Sequence, residues 1–357
     1  MTPVLTEVFG NASSIHSFGQ HARHLLDAAR RQVAMMIGAR PEEIVFTSGG
    51  TEADNAALFS FGRSGHVITT TAEHSAILQA CAQLRSVTTV PVDRDGLVNP
   101  DDIRGAIRPD TRLVSVMHVN NELGVIQPIE EIARIAHDAG ALFHSDGVQA
   151  VGKVPVQMGD SNSGIDLYSM SAHKIYGPKG VGALFVRKGT AFQSLLYGGP
   201  HENKKRAGTE NVAGAVGFGR AAEWVMQTSL EEAKRQQELR DRLEAGILSS
   251  VAGSHVNAAG SPRVGNTSNM RFDGVNSEPL LIALDLRGFA VSSGSACSSG
   301  ATEPSHVLAA IGLTREQAQS SIRFSLGRSN TVEQVDALID AVAGVVAHVR
   351  KMAPAYK

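Results

Sequence analysis

Short apolar runs alternate with amphipathic stretches through the first part of the chain. The runs at 43–47, 66–70, 86–92, 111–119, 141–146, 165–170 and 182–187 are brief and rich in Val, Ile and Leu, and each predicts a strand. Between them, 51–61, 73–84 and 128–139 predict helices. In the last of these, Ile129, Ile132, Ala133, Ile135 and Ala136 recur at helical spacing. Alternation of strand and helix predicts an α/β fold: a mostly parallel, seven-stranded sheet flanked by helices, with ligands gathering at the strands' carboxyl ends. Near residue 229 the pattern changes. Leu230 opens a long charged helix running to about Ser249, whose charges read as a solvated face with i,i+4 pairs. Beyond it, strands at 267–272 and 321–324 mix with helices at 279–287 and 331–351. The expected division is a large α/β domain over 10–232 and a smaller α+β domain over 233–357 together with 1–9.

Composition narrows the function classes. A chain of 357 residues, 42% apolar, can bury a large core and divide into more than one domain. A formal net charge of −2 gives no electrostatic footprint for nucleic acid or anionic membrane. No apolar run reaches the ~18 residues of a transmembrane helix, and no signal peptide is expected at the start. The two cysteines, Cys81 and Cys297, offer neither a disulfide framework nor metal-type spacing, and suit a reducing cytoplasmic location.

The candidate chemistry starts at Ser171-Ala172-His173-Lys174-Ile175-Tyr176-Gly177-Pro178-Lys179-Gly180. A bare His-Lys pair before a turn is usually a surface feature. Here an amine at a strand end, framed by small and polar residues, suits a Schiff base with a carbonyl cofactor. Asp146, at the end of another strand, could keep the ring nitrogen of pyridoxal 5′-phosphate (PLP) protonated, and Gln149 could donate to its phenolate oxygen; alone, Asp146 reads as a cap or loop acid. Ser48-Gly49-Gly50-Thr51 joins a strand to a helix, where backbone N–H groups and the Thr51 hydroxyl can meet an anion. It matches neither the P-loop nor the dinucleotide fingerprint, and it also reads as an ordinary turn and cap. His74, at a strand-to-helix junction, is either a cap or a group stacked on the ring that moves protons. Cys81 lies on the apolar face of a helix. Cys297 lies in Ser292-Ser293-Gly294-Ser295-Ala296-Cys297-Ser298-Ser299-Gly300, small residues that suit an accessible, reactive thiol.

Taken in order, these segments resemble the cysteine desulfurases of the NifS/IscS type, in the class V aminotransferase group. The resemblance runs from about Phe9 to about Arg328. It also rests on Met117-His118-Val119-Asn120-Asn121-Glu122-Leu123-Gly124, Arg206-Ala207-Gly208-Thr209-Glu210-Asn211 and Ile322-Arg323-Phe324-Ser325-Leu326-Gly327-Arg328. It implies the type I PLP-dependent transferase fold, PLP as cofactor and L-cysteine as substrate. Lys174 would carry the Schiff base, Asp146 and Gln149 would contact the ring, and His74 would stack on it and serve as an acid. Gly50, Thr51, Ser171 and His173 would form the phosphate cup. Thr209 would reach the phosphate of the neighbouring subunit of a homodimer. Asn121 and Arg323 would hold the substrate, with Arg323 forking its carboxylate.

The implied reaction releases L-alanine and leaves sulfur on Cys297 as a persulfide, which passes to an acceptor such as an iron–sulfur scaffold protein. Family members begin with a strand carrying an Asp-Asn-Ala-Ala-Thr-Thr-like segment and then a helix. Here Met1 falls inside that helix, and Gly198-Gly199-Pro200-His201-Glu202 replaces the usual Gly-Gly-Gly-Gln-Glu. Two alternatives stay open: a selenocysteine lyase or other class V enzyme, and a non-catalytic scaffold in a sulfur-transfer complex.

Overall fold

The computed structural model describes residues 1–159, 163–293 and 304–352; Cys297 lies outside them. The seven predicted strands form one sheet: β1 (Ile44–Thr47), β2 (His66–Thr70), β3 (Val87–Val90), β4 (Thr111–Ser115), β5 (Leu142–Asp146), β6 (Leu167–Ser171) and β7 (Gly182–Val186), in the order β1-β7-β6-β5-β4-β2-β3. Neighbours from β3 through β6 pair in parallel, whereas β7 is antiparallel to both β6 and β1. That double reversal sets β1 in the same direction as β6. The carboxyl ends of β1, β2, β4, β5 and β6 therefore share one edge of the sheet. β3 extends outward from β2 while β4 to β6 build the other way, so the strand order reverses between β2 and β4, where ligands of open α/β sheets bind.

The helices, in chain order, are α1 (Thr2–Glu7), α2 (Ser17–Met36), α3 (Gly50–Gly62), α4 (Ser75–Cys81), α5 (Pro100–Ala106), α6 (Ile129–Asp138), α7 (Val212–Ser250), α8 (Ser277–Asp285), α9 (His306–Ala310), α10 (Arg315–Gln319) and α11 (Val332–Met352). The predicted stripe of α6 is its buried face. One hydrophobic cluster joins α3 and α4 to the sheet through Ala53, Ala57, Leu58, Ile77, Val67, Leu113, Leu167 and Leu184. Strands β5 and β6 are almost wholly buried, and His144, Asp146 and Ser169 are buried with their apolar neighbours.

The chain divides into two compact units, one of residues 1–90, 100–119 and 127–229, the other of 91–99, 120–126 and 230–357. Residues 1–9, expected with the smaller domain, fall in the first unit, where Met1 lies against Gly217 of α7. Segments 91–99 and 120–126 join the second unit because their polar groups bond there: Ile126 N–H donates to Pro262 O, Val264 N–H to Gly124 O, and Ser261 Oγ to Asp95 O. Helix α7 begins at Val212, well before the expected start at Leu230. The second unit holds an antiparallel sheet of β8 (Ser254–Val256), β9 (Thr267–Phe272), β10 (Ser292–Ser293) and β11 (Ser321–Ser325), ordered β10-β11-β9-β8. Its core joins Leu239, Leu243 and Ile247 of α7 to Met270, Phe272, Ile322, Phe324 and Val342.

Candidate active site

Apart from Thr209, the predicted residues of the first unit sit along the shared carboxyl edge. Asp146 is the last residue of β5, Ser171 the last of β6, and a 3-10 turn over Ala172–Ile175 carries His173 and Lys174 just past that edge. Tyr176, in the left-handed region at φ 66°, turns the chain after Lys174, and Gly177 N–H closes the turn onto Ala172 O at 2.9 Å. Thr47 and Ser171 both pair in register with Gly182, which sets the ends of β1 and β6 on either side of the start of β7.

Asp146 is buried, with 5% of its surface exposed. Burial pushes its carboxyl above the usual carboxylate range, while the Val148 N–H, His74 and Lys174 draw it back down. The Val148 N–H donates to Asp146 Oδ1 at 2.9 Å, fixing the carboxylate. Gly147 follows because nothing larger fits: a Cβ there would sit 1.9 Å from the ring of Tyr168. Tyr168 is fully buried, and its hydroxyl meets His118 Nδ1 at 2.8 Å.

His74 plays the capping role that the sequence allowed. Its Nδ1 accepts the Ala76 N–H at 3.1 Å at the start of α4, which assigns Nε2 as the nitrogen that carries the exchangeable proton. Gln149 Oε1 accepts from Lys153 Nζ at 2.6 Å, so its amide NH2 is turned the other way and can donate. Lys153, one helical turn after Gln149, was not singled out from the sequence. Its i,i+4 spacing was the available signal.

The phosphate cup is assembled at the start of α3. Gly49 caps that helix without a side-chain acceptor, so the first N–H groups of α3 are not taken up by a cap. A Cβ on Gly50 would meet Val148 Cγ2 at 2.6 Å and lie 3.8 Å from Ser171 Cβ, so Gly50, the Asp146 turn and Ser171 converge. Ser171 Oγ and His173 Nδ1 are hydrogen-bonded at 2.9 Å, and Thr51 is exposed at the same helix start. The donor set fits PLP: anion donors at one end, a buried carboxylate at the other, and a lysine within electrostatic reach of that carboxylate.

Thr209 does not join this cluster. It lines a separate cavity of about 240 Å³ with Thr47, Ser48, Gly180 and Arg206. Its loop is tied down twice. Arg206 Nε donates to Glu52 Oε1 of α3 at 2.9 Å. Glu202, with φ 47° in a left-handed run through Lys204, pairs with Arg30 of α2 through two 2.6 Å bonds and accepts the Phe46 N–H at 2.9 Å. The sequence pointed to Glu202 only as part of a loop motif and gave no sign of Arg30.

Asn121 and Arg323 come together in the second unit. Arg323 Nη1 donates to the backbone oxygen of Asn121 at 2.9 Å, and the side-chain oxygen of Asn121 has no hydrogen-bond partner among the described residues. Next to Asn121, buried Glu122 accepts from Ser305 Oγ at 2.5 Å. Burial raises its carboxyl above the usual range, against the pull of Ser305, His306 and Arg323. Cys81 is buried in α4, and burial pushes its thiol up to about 12, so it is no nucleophile.

Comparison with known proteins identifies the family and the fold. Residues 1–338 match the family model for aminotransferase class-V. A cysteine desulfurase IscS from Dictyoglomus turgidum is 46% identical over 99% of this chain and 92% of its own length. Among solved structures, a NifS-like protein from Rickettsia africae superposes with a TM-score of 0.89 at 32% identity, covering 96% of this chain and 93% of that one. One described as SspA in complex with cysteine gives 0.80 at 33% identity, covering 91% and 92%. The fold is the type I PLP-dependent transferase fold, and the chain belongs to the aminotransferase class-V family.

Proposed function

We propose that the protein is a PLP-dependent cysteine desulfurase, which converts L-cysteine to L-alanine and transfers sulfur to an acceptor. The observation that carries this reading is the placement of buried Asp146 within the influence of both His74 and Lys174, beside the Gly50–Ser171 cradle. When bound, PLP supplies an electron sink conjugated to the substrate's Cα.

The chain's own residues supply the rest. Gly50, Thr51, Ser171 and His173 would hold the phosphate, and Asp146 would keep the ring nitrogen protonated. Gln149, its oxygen occupied by Lys153, would donate to the ring's phenolate oxygen. Arg323 and Asn121 bind the substrate, the guanidinium taking the α-carboxylate through parallel hydrogen bonds. Lys174 Nζ takes the proton from Cα, and His74 Nε2 moves a proton to or from the substrate. The Cys297 thiolate attacks the substrate sulfur: an S–S bond forms, the Cβ–S bond breaks with its electron pair going to carbon, and protonation at Cβ followed by return of the proton from Lys174 to Cα completes alanine. The persulfide on Cys297 then passes to an acceptor, an iron–sulfur scaffold or another sulfur-requiring partner. Thr209 serves the phosphate of a second subunit in a homodimer.

Among the described residues no helix is long and apolar enough to cross a membrane. We place the protein in the cytoplasm, where Cys297 stays a thiol between cycles. The test is Cys297→Ser. The variant keeps the spectral response of the bound cofactor to L-cysteine but loses at least about tenfold in alanine formation and forms no protein persulfide. Undiminished alanine with sulfide release would overturn the role of Cys297.

A further inference from the structure

Within electrostatic reach of Asp146 lies a second buried carboxylate. Asp54 is on α3, with 1% of its surface exposed. Its Oδ1 has no hydrogen-bond partner, and its carboxyl group bonds to Ser169 of β6. Ser169 Oγ in turn meets His144 Nε2 at 3.0 Å, and His144 Nδ1 meets Ser115 Oγ at 2.8 Å. The result is a chain of four side chains running through the sheet: Asp54, Ser169, His144, Ser115. The titratable groups facing Asp54 are Asp146 and His144 of β5 and Glu73 ahead of α4. His144 Nε2 stands 3.8 Å from Asp54 Oδ1 but is already bonded to Ser169.

The chain has two self-consistent polarities. With Asp54 ionised, Ser169 donates to it, His144 carries its proton on Nε2, and Oδ1 is left as a buried anionic oxygen with no donor, close to a second carboxylate. With Asp54 protonated, its O–H donates to Ser169, Ser169 donates to His144 Nε2, and His144 Nδ1–H donates to Ser115. The second arrangement leaves no bare charge and gives the acid's proton an acceptor, whereas a neutral Asp54 protonated on Oδ1 would bury that proton unpaired. The charge pattern agrees: His74 and Lys174 act on Asp146, whereas the described influences on Asp54 include no cation. His144 is itself held neutral, burial drawing it down to about 3.

We propose that Asp54 is a positioning residue for Asp146: as the neutral acid at the head of this chain, it leaves Asp146 as the anionic member of the pair. The inference rests on the reading of Asp146 as the partner of the cofactor's ring nitrogen. An anionic Asp54 would push the proton onto Asp146 and deprive that nitrogen of its counter-charge.

The experiment has two parts that fail separately. In protein without cofactor, ¹⁵N-resolved NMR, with His144→Gln for assignment, is expected to find His144 as the Nδ1–H tautomer; the Nε2–H tautomer would overturn the proposal. Asp54→Asn, whose NH2 donates to Ser169 as the acid does, is expected to lose the infrared carbonyl band of a buried protonated carboxyl. It should also keep PLP affinity within about threefold. An unchanged band, or a loss of affinity of about tenfold or more, would contradict it. Asp146→Asn tests the underlying reading: it should weaken PLP by at least about tenfold, and undiminished affinity would sink that reading without touching the tautomer result.

Discussion

Replacing Glu73 with Gln should make the protein without cofactor more stable, increasingly so as pH rises. Glu73 is fully buried between β2 and α4; its Oε1 accepts from Thr70 Oγ1 at 2.9 Å and from the Met117 N–H at 3.0 Å. Burial, with Asp146 adding repulsion, raises its carboxyl from 4.5 to about 8 against the pull of those two donors. An acid whose folded pKa lies above its unfolded value is bound to its proton more tightly in the native state. Stability is therefore intact below the unfolded pKa and is lost as pH climbs toward the folded one. At about 1.4 kcal/mol per unit, the loss is roughly 1 kcal/mol near pH 5, about 3 near pH 7, and approaches about 5 above pH 9.

Glutamine keeps the accepting oxygen and cannot ionise, so the variant avoids this loss. His118 and His144, which burial draws down to about 4 and about 3, destabilise the fold on the acid side but do so equally in both proteins. The assay is urea unfolding at a series of pH values, followed by the fluorescence of Trp224, the single tryptophan, whose ring meets Tyr176 edge-on at 5.3 Å in the first unit. A wild-type-minus-variant difference that does not change between pH 5 and pH 9 would refute the reasoning.

Glu202→Ala should cost about 3–5 kcal/mol, because it strands the buried guanidinium of Arg30 and removes the acceptor of the Phe46 N–H; a cost under about 1 kcal/mol by the same unfolding assay would count against it. Arg323→Lys should raise KM for L-cysteine about tenfold or more while affecting kcat less, since an ammonium cannot reproduce the two parallel bonds of the guanidinium; an unchanged KM rejects the carboxylate contact.

Much of the first unit was legible from periodicity because all its strands but the edge strand β3 are largely buried and its helix α6 is buried on one face. All seven strands fall within a few residues of their apolar runs, yet the direction of β7 was not readable, since an apolar run looks the same from either end. The early start of α7 was hidden by Gly214, Gly217 and Gly219, because glycine is a poor helix former. Gly219 is instead a close-approach site: a Cβ there would lie 2.9 Å from Ala29 Cα of α2. Helix α2 itself carries Ala22, Leu26, Ala29 and Val33 at core spacing, a signal the strand-centred reading passed over.

The site residues stood out where a motif concentrated them, as at Ser171–Gly180. Asp54, Glu73 and His144 did not, because a polar residue reads as solvent-facing until the fold buries it. Arg30 was silent because its partner Glu202 is far away in the chain, whereas Lys153 was marked only by its i,i+4 spacing to Gln149.

The most direct test of the central claim is chemical. Protein loaded with PLP, reduced with borohydride and digested should yield one peptide bearing a pyridoxyl group on Lys174. Modification spread over surface lysines, or confined to another lysine with Lys174 untouched, would contradict the assignment of this edge of the sheet as the active site.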